Sequence, residues 1–267
     1  GAIRPSLDLD EVGRDRVATL LAGLDRLPLT IEMAAARLGS MTFDELALAI
    51  GEGAPMPVTH RSPVRRHRSL ESLVAWSAEL LDPSLRRTFT EFAVFAGSVA
   101  AADAAAVVGA DRAGVIFDLA ALAERSLLVA DVGESATRYR MLATVRSVAG
   151  RWLEESSSAG DVRRRHAEHF TDATRLIDAQ IRTADEARGR RRLDEIVAEV
   201  RAAHRWARRH HPSLASAMSG ALHFAAYSTF WNEPTEWSRS LLAEHPVGGA
   251  DALSGARILV AGADANS

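Results

Sequence analysis

The sequence predicts a mainly α-helical protein that contains one β-hairpin. Apolar residues recur at helical spacing along most of the 267 residues, and one short stretch near the middle changes to strand-like alternation. A proline- and glycine-containing stretch and a serine-rich stretch interrupt these patterns. We therefore expect three parts: a small helical domain over residues 1–68, helices with a hairpin over 69–155, and successive helices over 161–267.

The composition narrows the class of protein. The formal net charge is −3, and the hydrophobic share of 47% is normal for a chain with well-formed cores. No apolar run approaches the roughly 18 residues that a membrane span needs, and no signal peptide is visible, so we expect a cytoplasmic protein without membrane contact. Cysteine is absent, which excludes disulfides, thiolate metal sites and cysteine nucleophiles.

Lysine is also absent, so all 32 basic residues are arginine. This excludes a P-loop lysine and a Schiff-base lysine. The sequence also lacks a serine-nucleophile elbow, a catalytic triad and a glycine-rich phosphate loop. We therefore predict no enzyme activity, no catalytic residues and no cofactor for this chain alone. Because it begins at Gly1 and lacks nucleotide motifs, we expect a piece of a larger protein.

The first domain is expected to be organised around a helix that Pro28 opens, since proline is well tolerated at a first helical position. Ile31, Ala34, Ala35 and Leu38 follow at helical spacing and predict a thin face on which a neighbour or a flat ligand can pack.

A second helix start is predicted where Thr42 and Glu45 have capping-box spacing, with Met41 and Leu46 as its hydrophobic staple. Residues 51–68 then have the composition of an exposed linker. Its arginines are either solvated or in contact with phosphate groups. The candidate phosphate contacts are Arg65, Arg66 and Arg68.

Residues 69–155 show helical patterns, then a hairpin, then one more helix. Asp82-Pro83 restarts a helix that Gly97 is expected to terminate, and Thr144 is expected to cap the last helix. The hairpin is predicted from residues 126–132 and 138–141 around a Gly-Glu-Ser turn. The apolar faces carry Leu70, Leu73, Val74, Leu80 and Leu81; Leu85, Phe89 and Phe92; and Val115, Ile116, Leu119, Leu122 and Ala123.

Three helices followed by a two-stranded wing form the winged-helix arrangement, a variant of the helix-turn-helix. Its third helix, around residues 114–125, would be the one to read DNA. The polar residues there are Asp118, Glu124 and Arg125, and DNA phosphates repel the two carboxylates. We therefore favour a structural role for this domain over direct DNA reading.

After a serine-rich boundary at residues 156–160, the chain is expected to be helical to its end, like a stacked helix-hairpin solenoid. Asp161 is expected to cap the first of these helices and Pro212 to stop the second, with further helices over 213–231, 235–244 and 251–263. The predicted apolar faces carry His166, Phe170, Ala173, Ile177 and Ile181, and Leu193, Ile196, Val197, Val200 and Ala203.

Other patterns in this part leave alternatives open. His166 and His169 have a spacing that can ligate a metal, but no further ligand is placed by the sequence, so we expect no metal. The arginine-rich faces over 188–211 are solvated and salt-bridged or bind an acidic partner. The aromatic residues pack in the core or line a groove, and they are Trp206, Phe224, Tyr227, Phe230, Trp231 and Trp237.

Several short motifs follow one another in an order typical of one family. They are the run from Leu24 to Leu38, His67-Arg68-Ser69-Leu70, Ala75-Trp76-Ser77, the run from Phe92 to Gly97, Arg125-Ser126-Leu127-Leu128, and Tyr139-Arg140-Met141-Leu142. This series resembles the signal-transducing (STAND) ATPase transcriptional regulators of actinobacteria, of the LuxR-type and antibiotic-regulatory classes, which are related to the NB-ARC ATPases.

In that family a P-loop domain precedes a small helical domain, a winged helix and a TPR-like helical sensor, and this chain resembles everything after the P-loop domain. The resemblance implies that Leu27, Pro28 and Leu29 lie on the adenine side of a nucleotide pocket. ATP or ADP would bind only together with the missing N-terminal NTPase domain. Arg26 stands where the family motif has glycine, and Leu142 stands where a histidine contacts phosphate.

Two functional hypotheses follow. The first is a non-catalytic switch and sensor region of an ATP-binding transcriptional regulator, which couples nucleotide state to a protein or small-molecule effector on the helical repeats; DNA would be contacted through another domain. The second is a DNA-binding winged-helix transcription factor with a helical ligand-binding domain. The resemblance favours the first.

Overall fold

The fold is mainly helical, as predicted. The computed structural model describes Val17, Ile31, residues 34–35, Leu38, residues 42–48, Glu71 and residues 74–109, 111–134, 136–229 and 231–245. The helices are α1 (Phe43–Leu48), α2 (Pro83–Phe92), α3 (Ala101–Val107), α4 (Arg112–Glu124), α5 (Ala143–Glu155), α6 (Ala159–Ile181), α7 (Glu186–His210), α8 (Pro212–Ala221), α9 (His223–Thr229) and α10 (Glu233–Glu244). The strands are β1 (Val99–Ala100), β2 (Val129–Val132) and β3 (Thr137–Arg140). Residues 74–79 are also helical.

Two helices begin where their sequence caps predict. Asp82 Oδ1 accepts hydrogen bonds from two amides in the first turn of α2, at 3.1 and 3.0 Å, and Pro83 occupies a position that needs no amide partner. At α1 the Thr42 amide donates to Glu45 Oε2 at 2.7 Å, and the Glu45 amide donates to Thr42 Oγ1 at 3.3 Å. The predicted capping box is therefore confirmed.

The chain divides into two compact units. The first, which we call the hairpin unit, contains α1, α2, α4, β2, β3 and α5; the second, the helical unit, contains β1, α3 and α6–α10. In the hairpin unit, Phe89 of α2 contacts the ring of Trp152 of α5 edge to face, with centroids 6.0 Å apart. The buried core of this unit includes Leu85, Phe89, Phe92, Leu119, Leu122, Tyr139, Val145 and Val148.

The predicted β-hairpin is confirmed. β2 pairs antiparallel with β3, so that Val129 lies opposite Arg140. Helix α4 ends just before this hairpin in a Schellman motif, in which the amides of Ser126 and Leu127 donate back to the carbonyls of the last turn at 3.0 Å each. Ser126 takes the left-handed conformation that this motif requires, with a φ of 58°. The change of chain direction after α4 is thus stabilised by hydrogen bonds between neighbouring residues, which precede the strands in the sequence.

In the helical unit, α7 packs against both α6 and α8, and α10 packs against α8. The apolar faces that the sequence predicts for α6 and α7 are largely buried: Phe170, Ile177, Ile181, Leu193, Ile196, Val200 and Ala203. Pro212 ends α7 at His210 and starts α8. One long helix was predicted over 213–231, but the structure has two, α8 and α9, because the chain turns at the fully buried Leu222.

Gly189 marks a close approach of α7 to the end of α6, and we predict that Gly189→Ala lowers the free energy of unfolding by about 1–2 kcal/mol. A Cβ there would lie 2.8 Å from Ile181 Cγ1 and 3.2 Å from the Ile181 amide nitrogen. That clash outweighs the better helix propensity of alanine. Urea unfolding of the two proteins measures the difference.

The matched control is Gly150→Ala in the middle of α5, where a Cβ would meet nothing within 4 Å. This variant is expected to gain about 0.5–1 kcal/mol, since only helix propensity changes. If Gly189→Ala were as stable as Gly150→Ala, the close packing of α7 on α6 would be contradicted.

Several helix-boundary predictions are wrong. Gly97 does not end α2, which stops at Phe92 with Ala93 as its C-cap; the Ala93 amide donates to the carbonyl of Thr90 at 3.2 Å. Thr144 lies inside α5, which begins one residue earlier. Ser158 rather than Asp161 holds the N-cap position of α6. Several residues within a few positions of one another can cap a helix, so spacing alone does not select one of them.

Two predicted core residues are exposed. Leu80 is 53% exposed, because the helical stretch 74–79 ends just before it. Ile116 is 44% exposed. It was assigned to the core because α4 is apolar on nearly every side, so its periodicity does not identify which side is buried.

Parts of the N-terminal and C-terminal predictions lie outside the described residues: Met41 of the staple, Pro28 and the start of its helix, the linker 51–68, and the helix 251–263. Ile31, Ala34 and Ala35 are helical, but only Ala34 is buried, so the predicted thin face is not uniformly covered. The domain limits 1–68, 69–155 and 161–267 stay a prediction. In the described part of the chain, no helix is both long and apolar enough to cross a membrane.

Candidate functional site

Helix α4, which lies wholly within the described residues, has one buried side and one exposed side. Val115, Leu119 and Leu122 face the core, whereas Phe117 is 76% exposed. The exposed side consists of Ala113, Ile116, Phe117, Ala120 and Glu124. Between Arg112 and Arg125, this side therefore offers methyl groups, an aromatic ring and the Glu124 carboxylate, and no basic or amide side chain that would hydrogen bond to base edges.

The other polar residues of α4 have partners inside the hairpin unit. Thr88 Oγ1 of α2 donates to Asp118 Oδ2 at 2.6 Å, and Arg125 donates to the carbonyl of Ala121 at 2.9 Å. Asp118 was predicted to repel DNA phosphates, but it is half-buried and turned towards α2. Glu124 is the carboxylate of α4 that remains fully on the surface.

The β2–β3 hairpin carries two arginines on its outer face. Tyr139 is buried, and alternation along β3 places Arg138 and Arg140 on the opposite side. Arg138 lies opposite Asp131 in the register, whereas Arg140 lies opposite Val129. Arg140 and Arg112, the first residue of α4, are both exposed. One lies at the start of α4 and the other on the hairpin, and each is a basic side chain that could meet a phosphate group.

The residues that were predicted to touch nucleotide or phosphate lie outside the described part of the chain: Leu27, Pro28, Leu29, Arg65, Arg66 and Arg68. Met141 precedes Leu142, which stands where the family has its phosphate-contacting histidine, and Met141 is only 6% exposed. These site assignments therefore stay predictions.

The order of helices and hairpin matches a known domain. Residues 81–154 match the winged helix-turn-helix domain family. The predicted winged helix is thus confirmed, with α2, α3 and α4 as its three helices and β2–β3 as its wing.

Several mycobacterial proteins are similar in sequence to this chain. A Mycobacterium bovis protein named as an HTH-type transcriptional regulator is 31% identical over 210 residues, 77% of this chain and 24% of that protein. A Mycobacterium tuberculosis protein with the same kind of name matches to the same extent. An uncharacterised M. tuberculosis protein is 30% identical over 169 residues, 61% of this chain and 43% of that protein. The chain therefore spans about a quarter of the length of the two named relatives, 24% in each case.

A first polar cluster joins α3 to α6 and α7. Asp103 Oδ1 lies 3.0 Å from His169 Nε2, and Arg192 donates to both carboxylate oxygens at 2.6 and 2.7 Å. Burial opposes the ionisation of Asp103, yet the hydrogen bonds from His169 and Arg192 outweigh it and lower the pKa of Asp103. Burial also opposes the charge of Arg192, while its bond to Asp103 raises the pKa of Arg192. An ionised carboxylate thus holds α3 in place.

A second polar cluster lies around Glu199 of α7, which is 1% exposed. Its Oε1 accepts from the Gly97 amide at 2.6 Å and its Oε2 from the Ala96 amide at 3.0 Å. His166 Nε2 lies 2.9 Å from the same Oε2, and its ring packs against Phe170. Both carboxylate oxygens are therefore satisfied, as burial of such a group demands.

The two histidines with metal-ligand spacing in the sequence contact different carboxylates. His166 lies against Glu199, whereas His169 lies against Asp103. Among the described residues, no group of three or more histidine, aspartate or glutamate side chains is arranged to hold a metal ion.

The aromatic residues of the helical unit are mostly half-buried. Trp206 stacks on His210 with centroids 4.9 Å apart, and Trp237 stacks on His204 at 4.3 Å. Phe224 lies beneath the guanidinium of Arg182 at 5.0 Å. These rings cover polar groups at the edge of the core; the side chains of Tyr227 and Phe230 lie outside the described residues.

Sequence reasoning missed Glu199 and Asp103 as structural residues, and it treated Glu199 as part of the salt-bridged arginine-rich faces over 188–211. One signal was present: Glu199 occurs between Ile196, Val200 and Ala203 on an apolar stripe. A carboxylate in such a stripe must find partners once buried. Its position indicates a buried polar contact, but not the segment that provides it.

Proposed function

We propose that this chain is part of a transcriptional regulator that acts in the cytoplasm and binds DNA through its winged helix, with the helical unit as its ligand-binding part. The match of residues 81–154 to the winged helix-turn-helix family is the observation that carries this proposal. The names of the longer mycobacterial relatives support it. The comparisons thus favour the second hypothesis over the nucleotide-switch hypothesis that the sequence favoured.

The surface of the winged helix suggests how it would bind. Arg112 and Arg140 would pair with phosphates, while Phe117 and the alanines of α4 would contact thymine methyl groups in the major groove. Such an interface gains most of its affinity from phosphates and little base discrimination from hydrogen bonds. We therefore expect salt-sensitive binding with modest sequence preference, favouring A·T-containing sites.

Fluorescence anisotropy with mixed duplexes at several salt concentrations tests this proposal. The double variant Arg112→Ala/Arg140→Ala is expected to bind more weakly and to reduce the slope of log K against log salt by about 2, because each phosphate contact contributes about 0.9. The matched control is Arg175→Ala on α6, which removes an exposed arginine paired with Asp172 at 2.8 Å. Equal losses in both variants, or no salt-dependent binding by the wild-type chain, would contradict the proposal.

The switch and sensor role remains a second candidate because the exposed side of α4 lacks basic and amide side chains that would hydrogen bond to base edges. In that role the partners would be the parent's own N-terminal NTPase domain and an effector on the helical unit, with ATP or ADP bound only in that context. Calorimetry of this chain with ATP and with ADP should then show weak binding or none. Clear hydrolysis by this chain alone would contradict both candidates, since each treats it as non-enzymatic.

A further inference from the structure

The segment from Val94 to Arg112 lies within the sequence that matches the winged-helix family, but its contacts are mainly with the helical unit. It lies inside the matched residues 81–154 and contains α3, the first helix of the helix-turn-helix. Its contacts nevertheless place it in the same compact unit as α6–α10. The helical unit therefore holds a part of the DNA-binding domain within itself.

Three polar contacts fasten this segment along its length. Glu199 of α7 binds the amides of Ala96 and Gly97 before α3. Asp103, within α3, is bound from α6 and α7 as described above. Arg165 of α6 donates to the carbonyl of Val107, the last residue of α3, at 2.8 Å. The segment is thus held before, within and at the end of α3.

The Glu199 contact restricts position more than the apolar packing around it. Because this carboxylate is 1% exposed, any displacement of the Ala96 and Gly97 amides would leave Oε1 buried without its partner and Oε2 with the His166 ring alone. An apolar side chain could fill the same space without that penalty. The charged contact therefore allows few positions of the residues before α3, and a shift of α7 displaces them too.

We propose that Glu199 is a positioning residue for DNA binding: through the amides of Ala96 and Gly97, α7 sets the position of α3. An effector that shifts α7 then changes the affinity for DNA without touching any residue that contacts DNA. This inference rests on the proposed function, and it names Glu199 as the residue through which α7 would act on α3.

The test uses the whole chain with Glu199→Gln. Glutamine keeps the size of the side chain but has one acceptor oxygen, so one of the two amide bonds is lost. We expect hydrogen exchange at the Ala96 or Gly97 amide to accelerate roughly tenfold, and DNA affinity in the anisotropy assay to fall by a similar factor, about the effect of one charge-assisted hydrogen bond. The control Glu168→Gln removes an exposed ion pair with Arg164 and should change neither.

The outcomes separate the two proposals. Faster exchange with unchanged DNA affinity would overturn the positioning role and leave DNA binding intact. Unchanged exchange would overturn the anchor itself. A wild-type chain that binds no DNA would instead contradict the proposed function, whatever the exchange shows.

A second variant serves if Glu199→Gln fails to fold, as judged by circular dichroism. Asp103→Asn keeps an acceptor oxygen but removes the charge that Arg192 binds twice. It loosens the same segment from a different side, so DNA affinity is expected to fall here also. Wild-type affinity in a folded Asp103→Asn chain would contradict the proposal.

Discussion

Replacing Phe89 by alanine is expected to lower the free energy of unfolding of the hairpin unit by about 3–5 kcal/mol. Phe89 is 0% exposed and contacts the ring of Trp152 edge to face at 6.0 Å, so the substitution removes buried area, leaves a cavity and breaks an aromatic pair. Domains of this size are stable by only about 5–15 kcal/mol in total. Urea unfolding followed by tryptophan fluorescence would measure the loss.

Phe117→Ala is the matched control, because it makes the same change at a residue that is 76% exposed. Its effect on stability should stay within about 0.5 kcal/mol. If the two variants lost similar stability, the assignment of buried and exposed sides in the winged helix would be contradicted. Since Phe117 is on the proposed DNA-facing side of α4, the same variant should weaken DNA binding while leaving the fold intact.

The second large effect is a loss of stability in acid that comes from His204. This side chain is 3% exposed and stacks on Trp237. Burial, assisted by the cation of Arg208 and opposed by Glu233, lowers the pKa of His204 to about 4. In the unfolded chain the pKa of histidine is about 6.5.

The direction of the pH dependence follows from these values. Between roughly pH 6.5 and 4 the unfolded chain binds a proton that the folded chain excludes, so stability falls as pH falls. The loss is on the order of 2 kcal/mol at about pH 5 and 3 kcal/mol at about pH 4, at 1.36 kcal/mol per pKa unit. Urea unfolding at a series of pH values above about 5 would measure the part of the loss that develops there, because most carboxylates, with pKa values near 4, titrate below that range.

His204→Gln should abolish this part of the pH dependence, since glutamine does not titrate. His210→Gln is the control: His210 is exposed, and the wild-type pH profile should persist in that variant. A profile that is the same in all three proteins would show that His204 does not exclude a proton in the folded state.

Local features were predictable because their causes lie within a few residues. The Asp82-Pro83 helix start, the Thr42–Glu45 capping box and the hairpin near Tyr139 depend on side chains and amides two to four positions apart, or on simple alternation. Most apolar residues at helical spacing in α2, α6 and α7 are buried as expected. The wrong boundaries, such as the helix end assigned to Gly97, arose where another residue a few positions away holds the cap.

The candidate site was less predictable than the fold. The sequence indicated a winged helix, but the apolar character of α4 concealed which side faces solvent, so Ile116 was assigned to the core. Asp118 was expected at the surface, but it is half-buried and accepts a hydrogen bond from the Thr88 hydroxyl at 2.6 Å. The favoured nucleotide-switch hypothesis rested on motifs such as that at Pro28, which lies outside the described residues.

The sequence by itself determined the types of most elements, several helix starts and the winged-helix order, because backbone propensity, capping and apolar periodicity act over short distances. Only the tertiary structure decided the partners of the buried charges. Ala96 and Glu199 are 103 positions apart, and no periodicity relates them. A carboxylate on an apolar stripe must bind something when it is buried, but which amide it binds depends on how the chain packs, and here that packing takes α3 into the helical unit.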